Sequence, residues 1–170
     1  ETAGTMKRNK VSLECSKLAW ERLGRSFERV MRDAGDDAAR ADMLLGAHLA
    51  GTAIEHSMLG AAHACANPLT SRFGVTHGIA VGLLLPHVVR FNGEDGGNPY
   101  VALGPTEEAL ATRVEGFADS AGLPRTLRAL NIHEGALPAL AEEAARQWTA
   151  QFNPRRVGAQ ELLGIYMSAL

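Results

Sequence analysis

The sequence predicts an all-α helical bundle. Three observations carry that reading. Apolar residues recur at three-to-four spacing along most of the chain, cap and stop signals divide it into segments of helical length, and no run keeps the alternation of a strand convincingly. The 170 residues suffice for one domain with a real core and are too few for two of ordinary size. Hydrophobic residues make up 46% and charged residues 21%, an ordinary globular balance.

Leu23, Phe27, Val30, Met31 and Ala34 form one apolar stripe, which Gly35-Asp36-Asp37 ends, with Asp37 placed to cap the next helix. That helix shows Met43, Ala47, Ala50, Ile54 and Met58 on one face. Gly46, Ala47, Ala50, Gly51 and Ala53 leave much of its surface small. Since Gly costs a helix about 1 kcal/mol against Ala, tight packing and a central position are expected. Asn67-Pro68 predicts a break, because Pro biases its predecessor away from helical angles. Thr76 stands where it can cap a third segment, His77 to Phe91, which is apolar on nearly all sides and should kink at Pro86. Asn92 to Pro105 reads as a Gly- and Pro-rich loop. Thr106 caps a helix running to about Ala121, stopped by Gly122-Leu123-Pro124. A short segment, Arg125 to Leu130, precedes two helices, about Leu137 to Ala150 and Ala159 to Ala169, separated by Asn153-Pro154. Trp20 and Trp148 are expected to anchor packing.

The net charge of -2 gives no electrostatic reason to expect nucleic acid or a membrane surface as partner. Lys7-Arg8-Asn9-Lys10 reads as a solvated approach to a helix. No apolar run approaches the ~18 residues of a membrane span. The two cysteines, Cys15 and Cys65, make no disulfide framework and suit a reducing, cytoplasmic compartment. No signal peptide opens the chain and no Met leads it, so it is expected to be a processed, tagged or excised piece, or one whose earlier residues are not given.

Of six histidines, His63 and His77 draw attention. His63 is expected on the last turns before the break and His77 at the start of the helix after it, so one helix–loop–helix can bring both imidazoles together. Imidazole is a good ligand for divalent iron, nickel, zinc and copper. Two histidines do not complete a site, and spacing alone favours ordinary polar helix-end histidines. His87 reads as a local hydrogen-bonding residue beside Pro86. His48 and His133 read as plain helix or turn residues, and His56 more as such than as a pocket wall. Cys65 reads as a small buried residue. Arg90 and Arg155 suit ion pairs or helix caps.

The segments Gly51-Thr52-Ala53, Leu59-Gly60-Ala61-Ala62-His63, Asn67-Pro68-Leu69, His77-Gly78 and Leu84 through Asn92 change that balance. In order and in gaps they resemble the signature region of the iron-containing (group III) alcohol dehydrogenases. Asn153-Pro154-Arg155 before a short last helix resembles the family's ending. The resemblance implies the helical C-terminal domain of a dehydroquinate synthase-like fold, whose other half is α/β and binds NAD or NADP. It implies that His63 and His77 are metal ligands for Fe2+, or Zn2+ in some members, and that the substrate is a small alcohol or aldehyde. It places Asn67 near the nicotinamide, where many members carry a second His linked to proton transfer; Asn cannot titrate. The family's remaining ligands, an Asp and a His, would precede Glu1, and Glu1-Thr2-Ala3-Gly4 resembles the continuation of their helix. No Gly-x-Gly-x-x-Gly follows a strand. Residues 1–170 are therefore expected to form a single metal-binding domain without the dinucleotide-binding one, inactive alone and self-associating through an exposed apolar face into a homo-oligomer. Two further readings stay open: a maleylacetate reductase-like enzyme domain, and a non-enzymatic helical fragment.

Overall fold

The computed structural model describes residues 1–94 and 96–170. Among them are α1 (Lys10–Arg32), α2 (Asp37–Glu55), α3 (Ala61–Phe73), α4 (His77–Gly93), α5 (Glu107–Ser120), α6 (Leu137–Ala145) and α7 (Ala159–Ser168). Three 3-10 turns, Arg128–Leu130, Glu134–Ala136 and Trp148–Phe152, complete the helical elements, and the described residues contain no strand. The all-α bundle expected from periodicity is what forms.

Helices α1 and α2 make a hairpin. Asn9 opens α1 with a capping box: its Oδ1 accepts from Val11 N at 3.0 Å and Ser12 N at 3.1 Å, while Ser12 Oγ accepts from Asn9 N at 2.9 Å. Asp36, not Asp37, caps α2, accepting from Ala39 N at 2.9 Å. Asp37 instead occupies the first turn, where a carboxylate favours the helix dipole. Asp42 ties the pair together, accepting from Arg22 at 2.8 Å, Arg25 at 2.6 Å and Ser26 at 2.9 Å. The small residues of α2 have two fates. A Cβ on Gly46 would come within 2.8 Å of Leu23 Cγ, so close packing on α1 needs glycine there. Gly51 meets nothing, and Leu44 is 74% exposed. Helix α2 is peripheral, correcting the expected central position: a glycine signals packing only where a neighbour fills the gap.

The centre is built by α3, α4, α6 and α7. Ala62, Cys65 and Leu69 of α3 pack with Leu84 and Val88 of α4, Leu137 and Leu140 of α6, and Leu162 and Tyr166 of α7. Leu127 and Ile132 close this core. Val89, Tyr100, Leu110 and Ala111 form a smaller one against Trp20 and Leu103. Tyr166 Oη donates to Cys65 O at 2.6 Å inside the main core. We expect Tyr166→Phe to cost about 1 kcal/mol in urea unfolding, the net worth of one buried neutral hydrogen bond.

The expected break at Asn67-Pro68 does not occur. Helix α3 runs through Pro68, and the real interruption is Ser57 to Gly60. Pro68 forgoes only the bond to Ala64 O, and its ring is buried, so packing outweighs the local bias. Helix α4 likewise runs through Pro86 and continues to Gly93, so Asn92 is helical rather than in the loop. Asp95, part of that expected loop, lies outside the described residues. Thr106 caps α5 through Ala109 N at 3.1 Å, and Gly122 takes the left-handed conformation (φ 63°) after it. The segment expected as one helix to Ala150 divides into α6 and the 3-10 turn Trp148–Phe152. Trp20 packs on Phe117 with ring centroids 5.9 Å apart, whereas Trp148 is 60% exposed and anchors no core.

Arg90 joins α4 to α5, donating to Glu108 at 2.7 Å and Glu115 at 2.6 Å. Its guanidinium holds both carboxyls below the usual range, Glu108 at about 2. A depressed folded pKa adds stability that is present above the unfolded value and lost as pH falls toward the folded one. We therefore expect the urea midpoint to drop between about pH 4.5 and pH 2, and Arg90→Met to flatten that limb. Glu108 is largely exposed, so Glu115 should carry most of the effect.

Candidate metal centre

Helix α3 starts at Gly60 without a side-chain cap of its own. Two distant side chains serve instead. Asn153 Oδ1 accepts from Ala61 N at 3.3 Å across 92 positions of chain, and Glu1 Oε1 accepts from Ala62 N at 2.7 Å across 61. A Cβ on Gly60 would stand 3.0 Å from both of those oxygens, so glycine leaves room for the two caps.

Asn153 belongs to a buried polar network. Its amide nitrogen donates to Asn92 Oδ1 at 2.7 Å and to Arg155 O at 2.7 Å, and Asn92 donates to Tyr100 Oη at 2.6 Å. The other oxygen of Glu1 reaches the ring of the next residue along α3, accepting from His63 Nδ1. Burial pushes the Glu1 carboxyl up, and the hydrogen bonds from His63 and from Ala62 N–H pull it down, so that the group sits below its usual range.

His63 is thus in the first turn of α3, not in the last turns before a break as expected. His77 opens α4, with Thr76 at the cap position but making no side-chain cap bond. The two rings come to a centroid separation of 5.3 Å, tilted by 53°. Two imidazoles sharing one tetrahedral ion, each nitrogen about 2.1 Å from it, place their ring centres about 5 Å apart. The observed separation is close to that distance. The pair supplies two donors, and among the described residues no group of three or more His, Cys, Asp or Glu side chains is placed to hold an ion. Asn67 lies one turn beyond His63 on α3 and donates to Gln147 Oε1 at 3.0 Å, pinning the approach to the 3-10 turn Trp148–Phe152.

The other histidines stay apart from this point. His87 Nδ1 is 3.0 Å from Ser168 Oγ, and burial, then the charge of Arg90, holds its imidazole below the ordinary value. His56 closes α2, its backbone carbonyl accepting from Asn9 Nδ2. His48 and His133 are exposed. Cys65 is fully buried, and burial drives its thiol well above the ordinary value. Arg155 donates to Phe91 O at 2.7 Å and Glu94 at 2.6 Å, and stacks over Phe91. Sequence reasoning missed Glu1 and Asn153 as parts of the centre. The available signal was the helix start Gly60-Ala61-Ala62, which offers no cap of its own.

Residues 6–170 match the family of Fe-containing alcohol dehydrogenases over its C-terminal part, and the chain belongs to that family. Lactaldehyde reductase of Escherichia coli K12 is 30% identical over 149 residues, covering 80% of this chain and 39% of that enzyme. A 1,3-propanediol oxidoreductase structure superposes with a TM-score of 0.91 at 27% identity, covering all of this chain and 48% of its own. Maleylacetate reductase from Rhizobium sp. strain MTP-10005 superposes at 0.84 with 24% identity, a likeness of fold alone. The chain spans less than half the length of these relatives.

Proposed function

We propose that this chain is the metal-carrying helical domain of an NAD(P)-dependent oxidoreductase acting on a small alcohol or aldehyde. The observation that carries the reading is the His63–His77 pair, at a separation suited to one shared ion, inside a family of such enzymes. His63 and His77 hold Fe2+ or Zn2+ through neutral imidazoles. The ion supplies Lewis-acid polarisation of a carbonyl or alkoxide, and NAD or NADP the hydride. Asn67, its amide fixed by Gln147, lines the nicotinamide side of the centre; it accepts and donates hydrogen bonds but carries no proton between groups.

A reducing cytoplasmic setting is supported by two free cysteines. No helix among the described residues is long and apolar enough to cross a membrane. Equilibrium dialysis against Zn2+, and anaerobically against Fe2+, is expected to load the chain stoichiometrically. Failure to bind either ion at micromolar concentration would remove the chemistry and leave the fold.

A further inference from the structure

Glu1 reaches the centre from outside the helix that carries His63, and both its oxygens are engaged. One accepts from the backbone N–H of Ala62 at 2.7 Å, the other from His63 Nδ1. We propose that Glu1 is the positioning residue of the metal centre, holding His63 in the tautomer that leaves Nε2 free to bind a divalent ion. This rests on reading His63 and His77 as ligands.

A carboxylate only accepts, so the imidazole facing it carries its proton on Nδ1. A neutral ring with that proton has its lone pair on Nε2. A carboxylate behind a ligand histidine also fixes the ring's orientation and raises its basicity. Capping alone would need one oxygen, and Asn153 already serves the neighbouring Ala61 N–H. The second oxygen is spent on the imidazole.

Glu1 is itself held in place. Its side chain is 6% exposed. Its carbonyl accepts from Gly4 N at 2.9 Å, and Gly4 lies so close under the Tyr100 ring that a Cβ would come within 2.4 Å of Cε1. Thr2 Oγ1 pairs with Ser16 Oγ at 2.9 Å and Thr5 Oγ1 with Ser57 Oγ at 2.7 Å, stitching residues 1–8 to α1 and to the end of α2.

Glu1→Gln separates the two roles. The amide oxygen can still accept from Ala62 N–H, while the amide NH2 offers His63 a donor and inverts the ring's tautomer. Both proteins are made with one Gly ahead of residue 1, which prevents cyclisation of the glutamine. The tautomer of His63 is read by 15N NMR of the metal-free chain above the imidazole titration range. Zn2+ affinity is read by chelator competition, and the melting temperature controls for fold. The expected result is an Nδ1–H ring in the parent and an Nε2–H ring in the variant. Zn2+ affinity should fall roughly 10–100-fold with the melting temperature unchanged. The same tautomer in both proteins, or equal Zn2+ affinity, would overturn the proposal. A parent that binds no Zn2+ would overturn the ligand reading instead, and the tautomer comparison would still decide what Glu1 does to His63.

Discussion

Replacing His63 or His77 with alanine is expected to strip the chain of stoichiometric metal while leaving its helix content intact. Each imidazole is one of two donors, so either variant leaves a single nitrogen. The loss of affinity should exceed the roughly 10–100-fold that removing an outer hydrogen-bond partner costs. The folding cost should be small for His77→Ala, because His77 is exposed, and larger for His63→Ala, which opens no core cavity but leaves one oxygen of the buried Glu1 carboxylate without its partner. Metal content by mass spectrometry, with circular dichroism alongside, makes the measurement. Metal retained in both variants would move the centre away from the α3–α4 junction.

Asn153→Ala is expected to cost about 3–5 kcal/mol of stability, the largest effect of any single polar change here. Asn153 is 2% exposed and bonds to Ala61 N, to both ends of the Asn92 amide and to Arg155 O. Truncation leaves several of these groups buried without a partner, at about 1–3 kcal/mol each, and the terms share one network, so they do not simply add. Urea unfolding by circular dichroism checks it. A change below about 1 kcal/mol would mean that water enters and satisfies the network.

The helical plan was legible because it rests on local physics. Thr106 caps, Gly122 stops, and the apolar faces of α4 and α7 repeat at helical spacing. The approach of His63 and His77 was legible from the helix–loop–helix between them, whereas reading them as ligands came from the family resemblance and is a proposal, since their spacing alone favoured a plainer reading. The errors lie where tertiary contacts overrule local preference. Pro68 was read as a break because its missing N–H is a local fact, whereas the burial of its ring is not. Gly46 and Gly51 look alike in sequence, yet only Gly46 faces a neighbour. Glu1 and Asn153 were invisible as site residues because their partners lie 61 and 92 positions away.

That distance has a consequence for when the centre can come into being. During synthesis α3 and α4 emerge long before Asn153, so both histidines are made while one of the two groups that cap α3 does not yet exist. Closing so long a loop is a late and entropically costly event, and the order of synthesis delays it further. A nascent chain that ends short of the last 3-10 turn carries both imidazoles on an incompletely anchored helix. If His63 and His77 hold an ion as proposed, its capture is expected to follow closure of that segment, and metal occupancy would then record that the fold has closed.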